Sequence, residues 1–138
     1  MKKIILILSV CVSFLFGDIN WSKDYASALN EAKMANKPML FIVSKTDCRY
    51  CIKLKDITLK DQKVVDELNK NFISAISIFD KGDFVPKELF TPGVPAIWFL
   101  LADGTPMFQP LMGYVAPEEM LEAFEIVKEE FKSIKEAK

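Results

Sequence analysis

Two cysteines three positions apart, Cys48 and Cys51, are the residues best suited to chemistry in this 138-residue chain. Such a pair supports thiol–disulfide exchange when one thiol ionises and the other lies within reach. The pair follows a continuous apolar run, Met39 to Val43, and opens a stretch of helical character. A sulfur at a helix N-terminus faces unpaired backbone N–H groups and the positive end of the helix dipole, which stabilise the thiolate. The spacing at a helix start brings the two sulfurs close enough to bond. Cys48, earlier and more exposed, is expected to be the nucleophile. Cys51 sits one turn inside and is expected to attack the mixed disulfide and release product. Asp47, Arg49 and Tyr50 surround the pair. Arg49, the single arginine of the chain, adds positive charge beside the thiolate; Asp47 opposes its formation. Tyr50 shields the pair or contacts partners.

Composition removes the competing chemistries. The chain has no His and three Cys. A zinc site would lack two ligands, and an iron–sulfur cluster needs more thiolates. Haem attachment needs His after the second Cys, and residue 52 is Ile. Copper delivery is disfavoured by the same lack of His. No metal and no cofactor are expected. The net charge of −1 offers no basic footprint, so no nucleic-acid partner is expected. A hydrophobic fraction of 51% with 11 Phe suits one globular domain with a substantial core.

Residues 1–17 read as an address rather than part of the fold. Lys2 and Lys3 precede an apolar run from Ile4 to Phe16, closed by the small Gly17. That is the pattern of a secretory signal peptide, and the run is short for a bilayer span of ~20 residues. An uncleaved membrane anchor is the alternative. Lipidation at Cys11 is disfavoured by the bulky Val10 before it. Cleavage after Gly17 would leave residues 18–138 with Cys48 and Cys51 as the only cysteines. In an oxidising compartment they become a local disulfide or a dithiol under active control.

Elements that position the pair follow from periodicity. Tyr25, Ala28, Leu29, Ala32 and Ala35 recur at helical spacing, with Ser22 or Asp24 as cap and Asn36 and Pro38 at the end. Met39 to Val43 reads as a buried strand. Cys51 to Leu59 is helical, and Asp61 to Leu68 continues or restarts it. Phe72 to Ile78 alternates as a strand does. Asp80 to Gly93 is a loop with a helical turn near Pro86 to Phe90. Ala96 to Leu101 is a strand, and Asp103-Gly104 a hairpin leading to another over about Thr105 to Gln109. From Pro117, Met120, Phe124, Val127, Phe131 and Ile134 form one apolar helical stripe, a core face. The class is α/β: a central mixed sheet with helices on both faces.

Thr91-Pro92-Gly93-Val94-Pro95 stands just before the Ala96 strand. A proline there is either ordinary loop punctuation or a cis residue that turns the Val94 backbone outward to pair with a substrate strand. Gly113, followed by Tyr114, is a third element for the rim of the site.

Taken together, Cys48 to Cys51 after a strand, Gly93-Val94-Pro95-Ala96, Asp103-Gly104 and Gly113-Tyr114 resemble the thioredoxin superfamily. Trp21, Tyr25, Ala28, Ala32 and Lys37-Pro38 extend the likeness to the opening of the domain. The similarity is greatest to the branch with the DsbD C-terminal domain and small exported proteins such as SoxW. It implies a thioredoxin fold, Cys48 as attacking thiol, Cys51 as resolving thiol, Pro95 in cis, and a periplasmic location. There are departures. Asp47 replaces the Trp usual before the first Cys, and Ile42 stands where thioredoxin buries an Asp near the inner thiol. Proton transfer from Cys51 then needs water or another group, with Lys45 and Asp47 as candidates.

The leading expectation is a monomeric exported oxidoreductase that reduces protein disulfides and is itself reduced by a membrane-bound electron donor. A disulfide donor or isomerase is the second reading. The loop 80–93 is too short for the inserted helical domain of a donor, and a dimerisation domain for an isomerase is missing. A non-catalytic binding or chaperone module on the same fold is the third.

Overall fold

The computed structural model describes residues 17–138. The expected leader falls on residues outside that range, apart from Gly17. Among the described residues no helix is long and apolar enough to cross a membrane.

Four strands form one sheet in the order β2-β1-β3-β4. They are β1 (Met39–Ser44), β2 (Ile73–Ile78), β3 (Ala96–Leu100) and β4 (Leu111–Met112). β1 is parallel to β2 and antiparallel to β3, which is antiparallel to β4. Every residue of β1 is buried. A strand covered on both faces cannot alternate, which is why Met39 to Val43 is apolar throughout.

The helices divide between the faces. α1 (Tyr25–Ala35) sets Ala28 and Ala32 against Met39, Phe41, Val43, Trp98 and Leu100. α2 (Arg49–Asp56), α3 (Gln62–Asn71) and α4 (Pro117–Glu136) cover the other face. There Leu54, Val65, Leu68, Met120 and Phe124 meet Leu40, Ile42, Ile97 and Phe99. Mixed sheet, helices on both faces: this is the thioredoxin fold.

Local chemistry explains the helix ends. Asp24 caps α1 by accepting from the Ser27 N–H at 2.8 Å, and Asn36 closes it in the left-handed region. Asp61 caps α3, accepting from Val64 N–H. Pro117 opens α4 with Glu118 and Glu119 in its first turn. The segment after Pro86 makes one 3-10 turn, Lys87–Leu89.

Two expectations require correction. Thr105 to Gln109 is not a strand. It returns along β3 with two ladder bonds, Leu101 N–H to Thr105 O and Met107 N–H to Phe99 O. Only the Leu100–Pro106 bridge forms; the chain then bends at Met107 and Phe108, and pairing resumes at Leu111 two residues out of the earlier register. The α4 stripe is also shorter as core. Met120, Phe124 and Val127 are buried, whereas Phe131 and Ile134 are half-buried. They line, with Leu101 and Lys33, an open cleft of about 390 Å³ beyond the sheet.

Candidate active site

Cys48 is the N-cap of α2, with extended backbone, and its sulfur accepts from the Cys51 N–H at 3.2 Å. The first turn of a helix has N–H groups without intrahelical partners, so a sulfur seated there meets a donor. Cys48 and Cys51 form a disulfide, with Cα atoms 5.2 Å apart. Cys48 is half-buried, while Cys51 is 6% exposed. The difference follows from position: Cys51 is inside the first turn and faces the sheet; Cys48 sits on the end.

The Val94–Pro95 peptide bond is cis. The Val94 carbonyl oxygen lies 3.7 Å from Cys48 Sγ. β1 delivers the loop carrying Cys48, and its neighbour β3 begins immediately after Pro95, so the central pair of strands brings the two segments together. Gly113 joins them: its N–H donates to Pro95 O at 2.9 Å, at a φ of 82° that glycine adopts freely. Tyr114 packs its ring under the Lys53 ammonium, 4.2 Å from the centroid, tying this rim to α2.

The tuning candidates are placed more loosely. Asp47, Arg49 and Tyr50 are all exposed, Tyr50 at 55%. Among the described residues none of the three makes a side-chain hydrogen bond or ion pair. Solvent screens charges at such exposed positions.

Sequence reasoning missed how the loop before Cys48 is held. Asp80, after β2, accepts from the Thr46 N–H at 3.0 Å and from the Thr46 hydroxyl. The Thr46 hydroxyl and backbone bonds hold the Asp80 carboxyl below the usual carboxylate range, and nearby Lys45 adds to this. The partners are 34 residues apart, and no local pattern links them. Lys45 also lies 5.7 Å from the centre of the Phe79 ring, which packs on Phe90 at 5.1 Å. A cleft beside Cys51, lined in part by Lys55 and Lys81, was missed too. Helical spacing could have found Lys55, four residues after Cys51; nothing marked Lys81.

Among the described residues no group of three or more His, Cys, Asp or Glu is arranged to hold a metal ion. The chemistry this arrangement supports is exchange between thiols and disulfides, performed by a vicinal pair at a helix end.

Comparison with known proteins defines the class. The thioredoxin-like domain family matches residues 25–128, and the chain belongs to it. Its fold superposes on a thioredoxin from Thermus thermophilus with a TM-score of 0.68, at 21% identity, covering 81% of this chain and 88% of that one. The oxidised DsbD C-terminal domain of Neisseria meningitidis gives a TM-score of 0.59, at 21% identity, covering 73% and 90%. By sequence the chain is 28% identical to Anterior gradient protein 3 of Mus musculus over 81 residues, 53% of this chain and 49% of the relative. The chain thus spans about half the length of that relative. Family membership and the Cys48–Cys51 disulfide together support thiol–disulfide oxidoreductase chemistry.

Proposed function

We propose that this protein is an exported, periplasmic thiol–disulfide oxidoreductase that reduces disulfides in other proteins. The observation carrying the proposal is the Cys48–Cys51 disulfide at the start of α2, with the Val94 carbonyl 3.7 Å from the outer sulfur. Export is supported by the leader pattern of residues 1–17.

In the reduced protein the Cys48 thiolate attacks one sulfur of a substrate disulfide. That bond breaks, and one substrate cysteine leaves with the electron pair. Cys51, as thiolate, then attacks Cys48 Sγ; the second substrate cysteine leaves, and the Cys48–Cys51 disulfide forms. Two electrons pass to the substrate. A membrane-bound donor returns two electrons and restores the dithiol. Val94 and Pro95 hold the substrate backbone beside Cys48, the half-buried Val94 peptide edge pairing with an extended segment. Asp47, Arg49 and Tyr50 set the balance between thiol and thiolate. The protein acts as a monomer.

Equilibration of residues 18–138 with dithiol buffers tests the direction of transfer. A potential near about −270 mV fits a reductant. A potential near about −120 mV would make the protein a disulfide donor instead. Failure to form the disulfide would favour a binding module on the same fold.

A further inference from the structure

The resolving sulfur must ionise to attack, yet Cys51 is buried, and burial opposes charge. Ile42, on β1, is fully buried and offers no polar group. The structure shows where help can come from. A cleft of about 180 Å³ reaches Cys51 between α2 and the ends of β1 and β2. Ser44, Lys45, Thr46, Ile52, Lys55 and Lys81 are among the residues lining it, and no carboxylate is. Three segments therefore each bring a lysine to one cleft: the loop after β1 through Lys45, α2 through Lys55, and the turn after β2 through Lys81. Of the acids nearby, Asp80 is engaged by Thr46, and exposed Asp47 lies outside the lining. Arg49 and Lys53 are the other cations on α2, and Lys53 is turned away onto Tyr114. From the β3 side, Val94 and Pro95 bring no charge.

We propose that Lys55, Lys81 and Lys45 are positioning residues that favour the Cys51 thiolate, and that water in the cleft takes its proton. The inference rests on the redox reading of the pair. The Cys51 S–H bond gives its proton to water, and the electron pair left on sulfur attacks Cys48 Sγ of the mixed disulfide. The bond from Cys48 to the substrate sulfur breaks, and the departing thiolate takes a proton from solvent. No carboxylate takes part, so the resolving step has no general base to titrate at acidic pH.

The test is the ionisation of Cys51 in the full chain carrying Cys48→Ala. Alkylation by iodoacetamide is followed across pH, with Cys51 and Cys11 peptides resolved by mass spectrometry. Lys55→Gln with Lys81→Gln is expected to raise the Cys51 midpoint by about half a pH unit, the lysines being exposed and screened. Lys55→Arg with Lys81→Arg is expected to leave it in place, because the charge is kept. An unmoved midpoint in the glutamine pair would overturn the proposal. So would an equal shift in the arginine pair, which would mark the lysines as structural. The titration needs no substrate, so it stands even if the protein proves unable to exchange disulfides.

Discussion

At the scale of single residues, the two cysteines differ in access, and the difference predicts different variants. Cys48 is half-buried at the helix end, whereas Cys51 is 6% exposed. Cys48→Ser removes the only sulfur of the pair open to a protein disulfide, and exchange should fall to background. Cys51→Ser keeps the attacking sulfur and removes the one that resolves. It should accumulate covalent adducts with substrates, seen as reducible higher-mass bands, while turnover is lost. Adducts formed equally by both variants would refute the assignment. The sequence already placed the pair at a helix start, because an apolar strand before it and helical spacing after it are local signals. The order of access follows from the helix alone. Asp47, Arg49 and Tyr50 were legible as neighbours, but their lack of side-chain partners was not, since exposure depends on what the rest of the chain leaves uncovered.

At the scale of elements, what the sequence hid were contacts between distant segments. The Thr46–Asp80 bonds join the ends of two parallel strands and steady the loop that carries Cys48. Their pH dependence has a definite sign. Asp80 titrates lower in the folded chain than in the unfolded one. Its contribution is complete above the ordinary carboxylate pKa of about 4 and is lost as pH falls through the lower folded value. The wild type should therefore lose more denaturant resistance between pH 6 and pH 3 than Asp80→Ala does, measured by urea unfolding. Equal losses would show that the bonds do not hold the loop. The Asp103-Gly104 turn was legible, but the strand assigned after it was not. Turn residues carry their own signal, whereas the bend at Met107 and Phe108 that interrupts pairing leaves no local pattern. The turn is strict about its glycine. Gly104 has φ of 89°, and a Cβ there would lie 2.8 Å from the Tyr25 hydroxyl and 3.2 Å from a Leu29 methyl. Gly104→Ala should cost on the order of 1–3 kcal/mol and lower the thermal midpoint. An unchanged midpoint would mean that α1 yields without loss.

At the scale of the whole molecule, one sheet separates two apolar layers, and β1 belongs to both. Alternate β1 side chains enter each layer: Leu40 and Ile42 pack with α2, α3 and α4, and Met39, Phe41 and Val43 with α1. Neither layer can persist without β1, so the domain should unfold as one unit. Trp98 reports on the α1 side: it is 7% exposed, and its indole N–H donates to Leu89 O at 3.0 Å. Phe124 belongs to the opposite layer, where it meets Phe72 at 5.0 Å and Phe99 at 6.1 Å between ring centres. Phe124→Ala opens a cavity in that layer alone and should cost about 3–5 kcal/mol. Because β1 couples the layers, the variant's Trp98 fluorescence and far-UV circular dichroism should shift to the same lower denaturant midpoint. A fluorescence midpoint left at the wild-type value while the dichroism moves would show that the α1 layer stands on its own. The disulfide end of α2 would then rest on a separable half of the domain, because α2 packs in the layer that Phe124 fills.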